Sequence, residues 1–384
     1  MSILHVITGL GTGGAERALF STLEGGLADA MSCHVLSLTD EGTYGSRIRA
    51  LGVPVYALHM RRGLPTLRVI SGLARVIREV KPDVLQGWMY HGNLAASVGR
   101  LMAASSPALA WNVRHSLYGM TGEKPMTRHV IRANALLSRR PDVILYNSET
   151  SRRQHEAFGF SAKQGQVIPN GFDLDRLAPS VERGDAIRQE LEIPRDAPVI
   201  GHVGRLHPLK DHPGFLRAAV RLLKQEARDA HVIMSGLGVS DDTASLASLI
   251  PAELKARFHL LGERRDVPDL MRAMDVFCQS SWSEAFPNVL GEAMAAGVPC
   301  VATDVGDSAD IVGDTGVVVP PSDEEALFWG LQQLLAKPTA ERQALGEAAR
   351  SRVAARYGRD AVVSQYINLY EDLAGRKRPA GPRP

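Results

Sequence analysis

Short apolar runs that alternate with longer amphipathic segments constrain the fold of this chain more than any other feature of its sequence. A first series has the length and composition of buried strands, at Ile3–Thr8, Cys33–Leu38, Val53–Leu58, Val84–Gln86, Ala108–Val113 and Val143–Tyr146. A second series follows, at Val199–Val203, His231–Ser235, Phe258–Leu261, Val276–Gln279 and Pro299–Thr303. Helical patterns lie between the strands, for example at Ala15–Leu27, Thr66–Val80 and Asn93–Ala103. Because strand–helix–strand repeats build parallel sheets covered by helices, the pattern predicts an α/β fold.

The alternation is interrupted once, and this interruption predicts how the chain divides into domains. Residues 174–198 are polar and charged and contain three prolines, which indicates a linker. A chain of 384 residues has room for about two or three domains. We therefore predict one α/β domain over residues 1–172, a second over residues 196–356, and a closing helix over residues 357–374.

Two glutamates, Glu284 and Glu292, flank the start of a short predicted helix. Pro287 suits a first helical position, and Gly297 suits the left-handed residue just past the helix end. Glu284 is therefore expected in the loop and Glu292 well inside the helix. Free backbone N–H groups and the positive end of the helix dipole favour a phosphate there, and carboxylates accept hydrogen bonds from sugar or ribose hydroxyls. A ligand that has phosphate between two hydroxyl-rich groups, a ribose and a second sugar, is a nucleotide sugar.

A glycine-rich loop, Gly9–Gly14, follows the first predicted strand and opens a helix. The spacing is that of a dinucleotide-binding loop, but glycines at such a turn can also serve the turn alone. Gly13 and Gly14 lack a Cβ, so their N–H groups can approach a phosphate or a sugar closely. Asp40 and Glu41, after the second strand, fit either a ribose contact or a turn.

Two cations, Arg205 and Lys210, follow the first strand of the second series. Ligands of parallel sheets bind beyond the carboxyl ends of the strands, where these side chains can neutralise a diphosphate. Arg265 follows another strand of the same series and fits either stacking on a nucleotide base or simple exposure to solvent.

His91 lies directly after the fourth strand of the first series, at the sheet edge where the glycine-rich loop is also expected. It fits either a packed polar residue or a group that acts on the substrate. Arg114 and His115 follow the next strand and are weaker candidates for the same edge.

Composition and charge limit the function classes. Net charge is +2, which does not indicate nucleic-acid binding. Residues 1–170 contain 19 Lys and Arg against 11 Asp and Glu, so the N-terminal half is basic. These charges fit contact with an anionic membrane or with a diphosphate-bearing acceptor, or they simply face solvent. Three dispersed cysteines predict neither a disulfide framework nor a zinc site, and no metal site or cofactor is expected. The N-terminus lacks a signal-peptide pattern and no long apolar run is present, so a cytoplasmic protein is expected.

With these motifs assembled, the chain resembles retaining glycosyltransferases of family 4 (glycosyltransferase group 1), which have the two-domain GT-B fold. The resemblance covers nearly the whole chain and rests on several segments together, at residues 13–16, 167–173, 204–210, 284–292, 299–306 and 316–320. One departure is Ala285, where the family often has glycine.

The resemblance implies a fold of two Rossmann-like domains facing each other across a cleft, with the final helix crossing back to the first domain. It implies that the first domain binds the acceptor and the second a nucleotide-sugar donor. Arg205 and Lys210 would then hold the diphosphate, Glu292 the ribose, Glu284 the donor sugar, and His91 a sugar hydroxyl or the anomeric region. The implied donor contacts also include Gly13, Gly14, Arg265 and the segment formed by Ala285, Phe286, Pro287, Asn288 and Val289.

The resemblance further implies transfer of a hexosyl-type sugar, most commonly from a UDP-sugar, with retention of configuration and without a metal. A hydroxyl of a glycan or lipid-linked acceptor in surface polysaccharide or exopolysaccharide synthesis is the expected acceptor. Three rivals stay open at this point. A nucleotide-sugar epimerase would need no acceptor, an NAD-dependent oxidoreductase would use only the first glycine loop, and a non-catalytic subunit would bind the donor without transferring it.

The basic segment 64–80 bears on peripheral contact with the inner face of the cytoplasmic membrane. Its apolar residues recur with helical spacing, at Leu67, Ile70, Leu73, Ala74 and Ile77, and arginines at 61, 62, 68, 75 and 78 flank or join them. This pattern fits an interfacial membrane helix or, more commonly, a helix that faces the protein core.

Overall fold

The fold was analysed in a computed structural model that describes residues 1–61, 66–117 and 125–376. Arg62, and residues 64 and 65 of the basic segment, lie outside the described residues. The chain forms two compact units. Unit 1 comprises Met1–Gly171 together with the C-terminal segment from Arg359, and unit 2 comprises Phe172–Gly358.

Unit 1 is built on a parallel seven-stranded sheet in the order β3-β2-β1-β4-β5-β6-β7. Its strands are β1 Ser2–Ile7, β2 Ser32–Ser37, β3 Val55–Ala57, β4 Val84–Trp88, β5 Ala108–Val113, β6 Val143–Tyr146 and β7 Gly165–Val167. Its helices are α1 Gly14–Thr22, α2 Ala28–Ala30, α3 Gly42–Ala50, α4 Leu67–Val80, α5 Met89–Met102, α6 Pro125–Leu137 and α7 Glu149–Phe158, with a π-helical turn at Leu23–Leu27 and a 3-10 turn at Ala162–Gln164. The strand order reverses between β1 and β4, which is where parallel sheets open a crevice for ligands.

Unit 2 is built on a parallel six-stranded sheet in the order β10-β9-β8-β11-β12-β13. Its strands are β8 Val199–Val203, β9 His231–Ser235, β10 Phe258–Leu260, β11 Val276–Gln279, β12 Cys300–Thr303 and β13 Gly316–Val319. Its helices are α8 Val181–Glu190, α9 His212–Gln225, α10 Ala244–Ala247, α11 Val267–Arg272, α12 Asn288–Ala295, α13 Ser308–Val312, α14 Glu324–Leu335 and α15 Thr339–Tyr357, with 3-10 turns at Pro208–Lys210 and Ala252–Arg257. The predicted α/β fold with two parallel sheets is confirmed.

The last helix, α16 (Arg359–Gly375), belongs to unit 1 and covers one face of its sheet. Val362, Val363, Tyr366, Tyr370 and Leu373 are buried there in the same core as residues of α1, β1 and β4. The opposite face of the sheet packs against α4, α5 and α6. The return of the final helix to unit 1 is therefore confirmed.

The predicted linker over residues 174–198 is wrong. This segment contains α8, and Leu177, Ile187, Ile193 and Ala197 are buried in the core of unit 2. The composition of the segment resembles that of a loop, yet these four apolar side chains lie in the core, whereas Val181 is 76% exposed. The short strands β7 and β13 were also not predicted as strands.

The basic segment forms α4, and its apolar stripe faces the core of unit 1. Leu73 and Ile77 are buried, whereas Leu67, at the start of the helix, is 85% exposed. The core-facing interpretation is therefore the observed one. Among the described residues, no helix is both long and apolar enough to cross a membrane.

Candidate functional site

The first part of the site is the loop after β8, from Gly204 to Asp211. Gly204 N–H donates to Ser235 O at 2.8 Å, and Leu206 N–H donates to Leu237 O at 2.8 Å, so this loop rests on the loop after β9. Gly236, at the contact, has φ +152°, and a Cβ there would overlap the Gly204 carbonyl. The glycine is required because two backbones meet at this point.

The cations of this loop differ in their surroundings. Arg205 is exposed and makes no ion pair or hydrogen bond to a described residue, so its guanidinium is available to a ligand. Lys210 is 25% exposed and its ammonium forms an ion pair with Glu284. Asp211, next along the chain, accepts from Gly214 N–H at 3.1 Å and so occupies the N-terminus of α9.

The second part of the site is the loop after β11 that leads into α12. Glu284 lies in this loop and Glu292 lies inside α12, as predicted, while Pro287 is the N-cap, one residue before the first helical position. The N-cap residue Pro287 makes no side-chain cap hydrogen bond, and no acidic residue lies in the first turn of α12. This helix end therefore presents the positive end of its dipole without an internal anion.

Glu284 joins the two loops. Its carboxylate oxygen Oε1 accepts from Lys210 Nζ and, at 2.7 Å, from Ser281 Oγ–H. The Glu284 side chain is 13% exposed, so the pair is held in a sheltered position. A phosphate can take the place of this carboxylate on the ammonium, and the released carboxylate can accept a hydroxyl.

Buried histidines beneath the loops were not predicted. Ser280 Oγ–H donates to Lys210 O at 2.9 Å, and His202 Nε2 donates to that hydroxyl at 3.2 Å, since the hydroxyl has one proton. His212 Nε2 donates to Gly204 O at 3.0 Å. Burial, reinforced by the neighbouring imidazole, lowers the pKa of His202, and burial lowers the pKa of His212. Both rings therefore stay neutral and hold the cationic loop through its backbone.

The loop after β12 also packs closely against the loop that contains Glu284. Gly306 has φ +59°, and a Cβ there would lie 2.5 Å from Glu284 O and 2.6 Å from Ala285 O. Asp307 N–H donates to Ala285 O at 3.3 Å.

The other residues of unit 2 that were predicted to contact the donor differ in how deeply they are buried. Phe286 is 5% exposed and stacks at 6.1 Å on Phe172, so its side chain belongs to the core and only its backbone can face a ligand. Pro287 is also buried, whereas Asn288 and Val289 are half-buried. Glu292 is 4% exposed, and Arg265 is exposed after β10.

In unit 1, the predicted residues Gly13, Gly14 and His91 follow the neighbouring strands β1 and β4. His91 lies in the first turn of α5, and burial lowers the pKa of its half-buried imidazole. The helix starts tightly against β1, because a Cβ on Gly92 would lie 2.5 Å from Val6 O. This contact fixes the position of the start of α5 at the switch point of the sheet, where the strand order reverses between β1 and β4.

The N-terminus of α1 already contains a carboxylate. Glu16, in the first turn, folds back so closely that a Cβ on Gly13 would overlap its oxygens. Burial raises the pKa of Glu16, although a hydrogen bond from its own backbone N–H acts in the opposite direction. An additional anion is disfavoured here, whereas a hydroxyl that donates to the carboxylate is favoured. The role of Glu16 was missed, although a glutamate three residues after the N-cap is a known helix-start signal.

The remaining candidates of unit 1 also have defined places. Glu41 pairs with Arg49 beside the start of α3, which makes it a structural residue, and the Asp40 carbonyl accepts from Ser37 Oγ–H at 2.5 Å. Arg114 and His115 are half-buried after β5. Among the described residues, no group of three His, Cys, Asp or Glu side chains has the geometry to hold a metal ion.

Comparison with known proteins identifies the class to which this fold and site belong. Residues 12–176 match the family model "Glycosyltransferase Family 4", and residues 197–337 match "Glycosyl transferases group 1". These two models together cover most of both units. The chain belongs to this family of glycosyltransferases.

Individual relatives agree with the family. The chain is 26% identical to the UDP-Gal:alpha-D-GlcNAc-diphosphoundecaprenol alpha-1,3-galactosyltransferase of Escherichia coli over 67% of each chain. It is 26% identical to the putative glycosyltransferase EpsF of Bacillus subtilis over 79% of each chain. The structure of Anabaena HepE in complex with UDP superposes with a TM-score of 0.84 at 22% identity, covering 97% of this chain and 100% of that one. The fold is therefore GT-B.

Proposed function

We propose that this protein transfers a sugar from a UDP-sugar to a hydroxyl of a glycan or lipid-linked acceptor, with retention of the anomeric configuration. The pairing of Lys210 with Glu284 beside the N-terminus of α12 carries this proposal. Two adjacent loops thereby contain a cation, the positive end of a helix dipole and a carboxylate that can accept a hydrogen bond from a sugar hydroxyl. A diphosphate bonded to a sugar needs these three groups.

The donor diphosphate is assigned to Arg205, Lys210 and the N-terminus of α12. Arg205 offers a bidentate fork and Lys210 a point charge, and the helix end supplies backbone N–H groups. A metal-independent reaction is proposed because these groups can stabilise the leaving diphosphate electrostatically. UDP as the nucleotide is supported by the E. coli relative, whose donor is UDP-Gal, and by the UDP complex of HepE.

The hydroxyl-bearing parts of the donor are assigned to the two glutamates. Glu292 is proposed to accept from the ribose hydroxyls, and Glu284 from the donor sugar once a phosphate oxygen has replaced it on Lys210. Ala285, Asn288 and Val289 are proposed to contact the donor from the start of α12, Phe286 and Pro287 through backbone atoms only, and Arg265 at the base.

The proposed transfer forms one bond and breaks one on the same face of the sugar. The acceptor oxygen bonds to the anomeric carbon as the bond from that carbon to the diphosphate oxygen breaks. The acceptor proton goes to the departing phosphate oxygen, and Arg205 and Lys210 stabilise the remaining negative charge.

His91, Gly13 and Gly14 are proposed to contact the sugar rather than the diphosphate. The carboxylate of Glu16 at the N-terminus of α1 disfavours a second anion and favours a hydroxyl. The imidazole of His91 has a lowered pKa, so it is neutral at pH 7 and suits a hydrogen bond to an uncharged sugar hydroxyl.

A lipid-linked acceptor in surface polysaccharide or exopolysaccharide synthesis implies a cytoplasmic protein that contacts the inner face of the membrane. The layer formed by α4, α5 and α6 supports this part of the proposal. Leu67, Leu101 and Leu136, one on each helix, are 85%, 79% and 85% exposed. Arg75 and Arg132 are exposed on the same helices, and basic side chains among apolar ones favour anionic lipid surfaces.

A donor screen tests the proposed function. Binding of UDP-, GDP- and ADP-sugars would be measured by calorimetry with the native chain and with Glu292→Gln. We expect one UDP-sugar to bind and Glu292→Gln to weaken it about tenfold, the loss of a charged hydrogen-bond acceptor. NMR of a transferred product would assign its anomeric configuration. Tight NAD binding without nucleotide-sugar binding would contradict the proposal, and conversion of the donor without an acceptor would favour an epimerase.

A further inference from the structure

Arg114 stands at the carboxyl end of β5 and is held through one side of its guanidinium. Its Nη1 donates to Tyr366 OH at 3.0 Å and to Asn112 Oδ1 at 3.3 Å. The guanidinium carbon lies 5.5 Å from the centre of the Trp88 ring. Among the described residues, Nη2 has no hydrogen-bond partner, so that arm of the fork is left for a ligand.

The groups around Arg114 are neutral. A hydroxyl, an amide and an indole face hold it, its Nε is buried without a partner, and no carboxylate of the described residues pairs with it. Arg188 in unit 2 shows how a structural arginine of this chain is coordinated. Its guanidinium pairs with Asp275 at 2.7 Å and donates to three backbone carbonyls. A half-buried cation without an anion is costly unless a ligand supplies the charge.

Helix α16 positions this guanidinium through Tyr366. The Tyr366 hydroxyl accepts from Arg114 and, at 3.2 Å, from Asn112 Nδ2. Tyr370, one helical turn further, donates instead to Gln86 on β4. Two buried tyrosines of one helix therefore make similar contacts with the sheet, but only Tyr366 contacts the cation.

We propose that Arg114 binds a phosphate group of the acceptor, and that Tyr366 is the residue that positions it. This inference rests on the proposed glycosyl transfer, because it assigns part of the acceptor in that reaction. The site lies beside the switch point between β1 and β4, where a parallel sheet receives its ligand. An arginine fork with one free arm suits a phosphate ester or diphosphate.

Binding of inorganic pyrophosphate to the full chain saturated with UDP tests this site, since UDP occupies the donor loops of unit 2. We expect one pyrophosphate to bind, about tenfold or more weaker binding in Arg114→Gln, and an intermediate affinity in Arg114→Lys, which keeps the charge but loses the fork. UDP affinity should stay unchanged in both variants. No pyrophosphate binding in the native chain, or equal binding in Arg114→Gln, would overturn the proposal.

Tyr366→Phe and Tyr370→Phe form a matched pair that separates positioning from stability. Each variant removes one buried hydroxyl from the same helix, so both should lower the melting temperature. Only Tyr366→Phe should weaken pyrophosphate binding, by about 5-fold, the loss of one hydrogen bond to the cation. Equal pyrophosphate affinity in the two variants would show that Tyr366 has a structural role alone.

A competition experiment distinguishes the source of the phosphate. Bound pyrophosphate would be displaced with phosphatidylcholine vesicles that contain a polyprenyl diphosphate, with plain vesicles, or with a soluble sugar 1-phosphate. Displacement by the diphosphate vesicles alone supports a lipid-linked acceptor, and displacement by the sugar phosphate supports a soluble one. Failure of UDP to bind would count against the proposed function, whereas loss of the Arg114 dependence would count only against this site.

Discussion

The two units each present a helix N-terminus at the carboxyl edge of a parallel sheet, but they fill it differently. In unit 1, α1 begins at a glycine-rich loop, and the Glu16 carboxylate lies against Gly13. In unit 2, Pro287 precedes α12 and makes no side-chain cap hydrogen bond, and the nearby Glu284 carboxylate is paired with Lys210. The helix after the glycine-rich loop therefore has a carboxylate in its own first turn, whereas the carboxylate near α12 lies in the preceding loop and is paired with Lys210.

This difference shows that glycine spacing alone does not define a phosphate site. Glycines permit close approach, but the charge at the helix end decides which ligand is favoured. In unit 1 the local charge favours a hydroxyl. In unit 2 it favours a diphosphate, because Arg205 and Lys210 add positive charge to the helix end.

The largest effect that the comparison predicts is the loss of Lys210. Lys210→Ala should lower sugar transfer by about 10²–10³-fold, because it removes the cation that we propose stabilises the leaving group. Steady-state kinetics and UDP calorimetry would measure the loss. Lys224→Ala is the control, since Lys224 lies on α9 and pairs with Glu253 at the surface. A twofold effect or less for Lys210→Ala would show that the diphosphate does not bind in unit 2.

Glycine substitutions probe the same contrast through stability. Gly306→Ala should destabilise unit 2 by about 1–3 kcal/mol, because the methyl group would meet the carbonyls of Glu284 and Ala285. Gly11→Ala is the matched control from the glycine-rich loop, where a Cβ has open space around it. Chemical denaturation of the two variants would measure the difference. Equal stability losses would mean that the Gly306 contact does not constrain the loop.

Glu16→Gln tests whether the N-terminus of α1 in unit 1 contacts the sugar rather than the diphosphate. The variant should lower transfer by about tenfold, the loss of one charged hydrogen-bond acceptor, while UDP affinity stays unchanged. Kinetics with a saturating acceptor, together with UDP calorimetry, separate the two quantities. Glu149→Gln, in the first turn of α7 of the same unit, should change neither. A parallel change in UDP affinity would place the diphosphate at α1 instead.

The smallest expected effect concerns the pH dependence of unit 1. Burial, with a contribution from His34, lowers the pKa of His5 to about 3. The folded chain then binds fewer protons than the unfolded chain between about pH 3 and 6.5, so stability is complete above pH 6.5 and is lost as the pH falls. On going from pH 7.5 to pH 5.5, the free energy of unfolding of His5→Gln should fall by about 1 kcal/mol less than that of the native chain.

The change in tryptophan fluorescence on unfolding comes mainly from unit 1. Trp88 and Trp111 are fully buried in unit 1, whereas Trp282 and Trp329 are 45% and 53% exposed in unit 2. Denaturation would be compared at pH 5.5 and 7.5 for the native chain, His5→Gln and the exposed control His129→Gln. An unaltered pH dependence in His5→Gln would exclude His5 as its source.

Several features of the protein were determined by the sequence alone. The period and length of the apolar runs predicted both parallel sheets, because buried strands flanked by helices must be apolar on both faces. Pro287 and Gly297 predicted the position of α12 and so the separate surroundings of Glu284 and Glu292. Local rules sufficed for these features because each depends on neighbouring residues in the chain.

Only the tertiary structure decided which groups meet. Residues 174–198 looked like a linker because their composition is polar, yet four of their apolar side chains are buried in the core of unit 2. The hydrogen bonds of His202 and His212 beneath the cationic loop, and that of Tyr366 to Arg114 over 252 residues, leave no periodic signal in the sequence. Contacts of this kind depend on how strands and helices pack. The charge available to a ligand at each site is therefore set by folding, not by the local motif.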